Sequence, residues 1–102
     1  MTEPLTPEQC QSMDEVRAGV DAVDQAIVAL LDTRFAYMRA AARIKKTRAA
    51  VRDEGRKAVV LAAVRAEAAA RGLPAQALAD WWEQLVELSI AYELDCWDGR
   101  EK

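Results

Sequence analysis

The chain has 102 residues, 52% hydrophobic and 30% charged, with a formal net charge of −3 and no histidine. That balance fits one globular domain near the lower end of domain size, and its acidity argues against a non-specific nucleic-acid binder. The missing histidine removes the commonest general base and the commonest zinc ligand, and no apolar run approaches the ~20 residues of a membrane span.

Residues 1–12, MTEPLTPEQCQS, carry two prolines and are expected to be an extended or frayed lead-in. One helical domain is expected over 13–98, with a short tail at 99–102. Ser12 or Asp14 is the candidate cap, and Asp14 and Glu15 suit the positive end of a helix dipole. Val16, Val20, Val23, Ile27, Leu30, Leu31, Met38 and Ala41 then recur at spacings of three and four, and no proline intervenes before Pro74. The pattern predicts one helix over 14–49. The segment VRDEG is the expected break. A second helix is predicted over 55–71, ending at RGLP, where Gly72 suits the C-cap and Pro74 blocks continuation. A third, over 75–97, carries Leu78, Trp81, Trp82, Leu85, Leu88, Tyr92 and Cys96 on one side. No alternating strand pattern appears, so the predicted fold class is all-α with three helices. Cys10 and Cys96 lack metal-ligand spacing and no signal-peptide pattern opens the chain; free thiols in the reducing cytoplasm are expected, without metal or cofactor.

The first helix is long for its domain. From 14 to 49, at ~1.5 Å per residue, it makes a rod of roughly 54 Å, against a radius of gyration near 13 Å for a compact domain of this size. Two shorter helices do not cover its apolar stripe, so pairing with a second copy, as an intertwined homodimer, is the simplest remedy. The alternative is a monomer with a helix broken near Gly19 or after Leu31.

Two cations interrupt that stripe. At ~100° per residue, with Val16 at zero, Ile27 falls at about 20° and Val20 and Met38 at about 40°, while Arg34 falls at about 0° and Lys45 at about 20°. Arg56 is flanked in the same way by Val59, Val60, Ala63 and Val64. On the third helix, Glu93 shares an arc with Trp82, Val86, Ser89 and Cys96. Buried charges are costly unless paired. Glu93 can pair with one of the three cations while the others snorkel outward along the helix surface. One acid does not neutralise three bases, however, and the excess points to an anionic ligand. Guanidinium groups bind carboxylates in bidentate fashion, which makes a small dicarboxylate the natural candidate.

In EVRAGVDAVDQAIVALLDTR, AARIKK, VRDEGR and SIAYELDCW, taken in that order and at those separations, the chain resembles the all-helical chorismate mutase family, including its isochorismate pyruvate lyase branch. The resemblance covers about residues 7–98 and implies an intertwined homodimer of three-helix protomers. It matches Arg34, Lys45 and Arg56 to the cations that hold the substrate's carboxylates and ether oxygen, and Arg17 to the arginine contributed by the other protomer. Spacing agrees with that last assignment, since Arg17 and Arg34 are ~25 Å apart along one rod. Glu93 matches a residue, often glutamine, that donates a hydrogen bond to the ether oxygen, which a carboxyl does only when protonated. Ser89 matches a carboxylate contact, Ile90 and Val60 pocket walls, and Asp53 a residue near the ring hydroxyl. Lys57 departs from the pattern, because mutases often carry glutamate there.

The implied reaction is the Claisen rearrangement of chorismate to prephenate, a pericyclic step without nucleophile or proton transfer. It would proceed by selection of the reactive conformer and electrostatic stabilisation at the ether oxygen, with Lys45 and Glu93 as the catalytic pair. The same clamps would serve a lyase releasing salicylate and pyruvate from isochorismate. From other classes, the alternatives are a helical dimerisation module whose charges set register and a noncatalytic metabolite sensor.

Overall fold

The structure, a computed structural model, describes residues 5–100; the first four residues of the expected lead-in and the last two of the tail lie outside them. Three helices, α1 (Met13–Ile44), α2 (Glu54–Ala70) and α3 (Ala75–Arg100), account for most of the described chain. Short 3-10 turns lie at Pro7–Gln9 and Arg48–Val51, and no strand occurs among the described residues, so the fold is all-α as expected. No helix among them is long and apolar enough to cross a membrane. The chain divides into two units, residues 1–36 and 37–102.

In the first unit, Thr6 N–H donates to Gln9 Oε1 across the first 3-10 turn. Of the two candidate caps, Ser12 is the one used. Its Oγ accepts from Glu15 N–H at 3.2 Å, while Glu15 Oε1 accepts from Gln11 N–H at 2.8 Å. These bonds satisfy donors that a helix start otherwise leaves open. The apolar stripe then runs uncovered: Val16, Val20, Val23 and Ile27 are 38%, 52%, 57% and 40% exposed. With Leu5, Pro7 and Cys10 the three valines line a groove of about 580 Å³.

In the second unit, α2 and α3 pack as an antiparallel pair. Buried Ala68 and Ala79, near the connecting turn, bring small side chains to the packed faces. Gly72 closes α2 with φ of 71°: its N–H donates to Ala69 O, and Leu73 N–H reaches back to Ala68 O. That pair of bonds is the Schellman pattern, which needs a left-handed residue at this point. The core gathers Val51, Val86 and Ile90, with Val60, Leu61, Trp82, Leu94 and Trp97 packed against them.

The first helix stops at Ile44, five residues before the expected end. The break turns the chain so that Val51, 4% exposed, enters the core against α3. Burying such a side chain contributes about 2 kcal/mol, and two arginine contacts described below hold the turned backbone. α3 runs three residues further than expected, to Arg100.

Gly72→Ala should cost about 1 kcal/mol in urea unfolding, from the backbone alone, because a Cβ there would meet nothing within 4 Å. Gly99→Ala, helical and equally open, should instead stabilise by about 0.5 kcal/mol.

Candidate functional site

Lys45 is the first residue past α1. Its N–H still closes the last helical turn, to Ala41 O at 2.9 Å. Its side chain turns back over the break, with Nζ 3.4 Å from Val51 O and 2.7 Å from Glu93 Oε2. Lys45 therefore stands at the end of the stripe, where the helix has just finished, rather than within it. Glu93, one turn past Ser89 on α3, is 4% exposed. The internal pair that the sequence permitted is thus formed. It is close, yet its angles do not make a hydrogen bond, and buried Oε2 has no aligned donor among the described residues.

Ser89, 3% exposed, donates to Leu85 O at 2.7 Å, a local bond that a helical serine commonly makes. Ile90 belongs to the core and Val60 packs on it. Asp53 caps α2: its Oδ1 accepts from Arg56 N–H at 2.9 Å. Arg56 itself departs from expectation. It stands in the first turn of α2 and is exposed rather than buried in a stripe. A helix start projects its side chains past the partner helix, and no ion-pair partner meets this guanidinium among the described residues. Lys57, not Arg56, is the half-buried cation of that turn.

The second unit therefore brings Lys45 and Glu93 into contact and places Ser89 and Ile90 beside Glu93 along α3, with Asp53 and Arg56 together at the start of α2. Arg17 and Arg34 belong to the first unit. Arg17 lies 3.6 Å from Asp14, an exposed pair of little energetic weight. Arg34 is half-buried, and that burial pushes its pKa down, though a guanidinium remains charged at neutral pH.

Two groups escaped the sequence reading. One is a network on the outer side of α2 and α3. Lys57 Nζ meets Glu83 at 3.1 Å and Glu87 at 2.8 Å, and Arg52 bridges Glu54 and Glu87, each at 2.8 Å. Bonds from Arg52 and Lys57 hold the Glu87 carboxyl at about 2, and the carboxylates raise both cations in return. The other lies at the end of α3. Asp98 takes Arg48 through two bonds of 2.8 and 3.1 Å, and Arg100 Nη1 donates to Ala42 O and Lys45 O, each at 2.6 Å. The second depends on residues beyond the expected end of α3, whereas Glu83 and Glu87 of the first lie within it.

Fold and site together define an all-helical protein whose buried carboxylate faces an ammonium at a helix break. The chain belongs to the chorismate mutase type II family, whose model matches residues 16–94. Over 92 residues it is 32% identical to a protein of Pseudomonas aeruginosa named isochorismate pyruvate lyase, a match covering 90% of this chain and 91% of the relative. The resemblance read from the four motifs is therefore a true kinship.

Glu87 gives a pH prediction. Its folded value of about 2 lies below the ordinary 4.5, so the ionised carboxylate favours the folded state. That stability is present above about 4.5 and is lost as pH falls towards 2. In thermal unfolding, Glu87→Gln should show a shallower loss across this acid window than the parent chain. The difference should be small and salt-sensitive, because the network is solvated.

Proposed function

We propose that the chain is a chorismate mutase, converting chorismate to prephenate within a homodimer in the cytoplasm. The observation that carries this reading is the Lys45–Glu93 pair, 2.7 Å apart, with a buried oxygen that no aligned donor satisfies among the described residues. A polar group left this way in a core is costly unless something else completes it. An ether oxygen entering between the two side chains would accept from both.

In the rearrangement one C–O bond breaks as one C–C bond forms, and no proton or electron leaves the substrate. The protein's part is to hold the compact conformer and to meet the negative charge that grows on the ether oxygen. Lys45 supplies a charged donor and protonated Glu93 a second. Arg34 and the partner protomer's arginine at position 17 clamp the carboxylates, Ser89 contacts one of them, and Arg56 completes the cationic wall. Asp53 lies near the ring hydroxyl, and Ile90 and Val60 form apolar walls. Exposed Arg56 suits this role, since among the described residues no carboxylate engages its guanidinium as those of Arg48 and Arg52 are engaged.

The dimer rests on the uncovered stripe. Four large apolar residues in successive turns, each more than a third exposed, form the kind of face that a second copy covers. Sedimentation should give twice the 11.3 kDa chain mass. Val20→Lys with Val23→Lys should lower that mass and abolish activity together.

A second reading, isochorismate pyruvate lyase, is favoured by the name of the Pseudomonas relative and by Lys57. Where mutases often carry glutamate, this chain has a lysine already committed to Glu83 and Glu87. The two readings part on products: prephenate from chorismate marks the mutase, and salicylate with pyruvate from isochorismate marks the lyase. Absence of both at pH 5 and pH 7.5 would leave a binding protein.

Lys45→Met should lower kcat by about 1000-fold, on the scale of a lost transition-state donor, with the dimer intact. Because a carboxyl donates only when it carries a proton, Glu93→Gln, which keeps a donor at that position, should retain activity, and Glu93→Ala should lose it. Equal loss in both variants would remove the donor role.

A further inference from the structure

We propose that Arg100 is a positioning residue for Lys45, acting on that residue's backbone while Glu93 holds its ammonium. The inference rests on the reading of Lys45 as the catalytic cation, and it concerns how that cation is kept in place.

An α-helix leaves its last carbonyls without partners inside the helix. α1 ends at Ile44 with no glycine to cap it and enters a turn that must carry Lys45 towards α3. Arg100 satisfies this end from outside. One nitrogen, Nη1, donates to Ala42 O and Lys45 O, each at 2.6 Å. That nitrogen carries two hydrogens, so both are used and the direction of the guanidinium is set. A cation here also complements the negative end of the helix dipole. The guanidinium lies 5.0 Å from the centroid of the Trp97 ring, a cation–π contact that steadies the long arm.

The two ends of Lys45 are thereby gripped from one face of one helix. Ser89, Glu93, Trp97 and Arg100 are spaced 4, 4 and 3 residues apart, within about 80° around α3. Glu93 meets Nζ at 2.7 Å, and Arg100 meets the carbonyl of the same residue. Neither contact alone fixes the side chain. An ammonium on a four-carbon stem has many routes to a carboxylate, and a fixed carbonyl narrows them by anchoring where the stem begins. The Arg48–Asp98 bridge closes the turn further on, but it joins two half-exposed side chains and leaves the Lys45 backbone untouched.

A cap that merely stabilised α1 would have a different signature. If Arg100 positions Lys45, its loss should weaken transition-state stabilisation while leaving substrate binding, which falls to the arginines, nearly unchanged. A displacement of about 1 Å at a catalytic group costs up to about 100-fold.

The experiment compares the full chain with Arg100→Ala, Arg100→Gln and Arg100→Lys. The readouts are kcat and KM on whichever of chorismate or isochorismate the parent turns over, and amide hydrogen exchange over residues 44–49, well below each variant's Tm. Arg100→Ala should lose between about 10- and 100-fold in kcat, with KM within about twofold. Exchange should accelerate over 44–49 but not in α2. Arg100→Lys, which keeps a charged donor, should recover part of both. Unchanged exchange, or unchanged kcat in a folded variant with a lowered Tm, overturns the proposal. If Arg100→Ala does not fold, the Gln and Lys variants decide by the same readouts. Should the parent turn over neither substrate, the mutase and lyase readings both fall. The grip on Lys45 then stands or falls on the exchange data alone.

Discussion

Glu93 is a carboxylate in a helical core, and much of the second unit follows from giving it a positive neighbour. Removing such a group from water costs several kcal/mol unless an opposite charge lies within reach. α2 meets α3 with apolar residues and small alanines, and α3 lends no base of its own within a turn of Glu93. The charge comes from the end of α1, where the helix stops at Ile44 and Lys45 folds over the break. The same turn brings Val51 into the core and exposes carbonyls for Arg100 to satisfy. Pair, break, core insertion and cap are one arrangement seen from four sides.

The charges of this unit fall into two populations. Arg48, Arg52 and Lys57 are saturated by Asp98, Glu54, Glu83 and Glu87, and so tie the turn and α2 to α3. These side chains are largely solvated and their pairs are individually weak. Lys45 and Glu93 are matched in sign but not in hydrogen-bond geometry, and Arg56 carries no carboxylate among the described residues. Arg48, Arg52 and Lys57 are thus engaged by the chain's own carboxylates, whereas Arg56 and the Lys45–Glu93 pair are placed to meet a foreign anion. Family membership and this sorting point the same way.

Much of this was legible in the sequence. Three- and four-residue spacing gave three helices and their order, and RGLP gave the α2–α3 turn down to the left-handed glycine. Glu93 was recognised as a buried acid and Lys45 as a candidate partner because each breaks an apolar arc. The end of α1 was not legible. Residues 45–49, KKTRA, contain no proline or glycine, and local propensity lets a helix run through them. What stops it is tertiary: Val51 reaching Val86 and Ile90, Arg48 meeting Asp98 of α3, and Arg100 of α3 meeting the end of α1. Arg56 was misjudged for a related reason, since an angular position beside valines ignores where along the partner helix a side chain falls. The first turn of α2 leaves Arg56 in solvent.

The cap supplied by Arg100 also has a consequence in time. A ribosome makes the end of α1 more than fifty residues before residue 100, so the nascent chain carries Ala42 and Lys45 carbonyls that Arg100 does not yet close. α1 and α2 can coil as they emerge, but the turn between them takes its final path only when the end of α3 has left the exit tunnel. Completion of the Lys45 environment therefore waits on the last turn of α3. A chain cut before residue 100 would keep its helices and lack the piece that fastens them there.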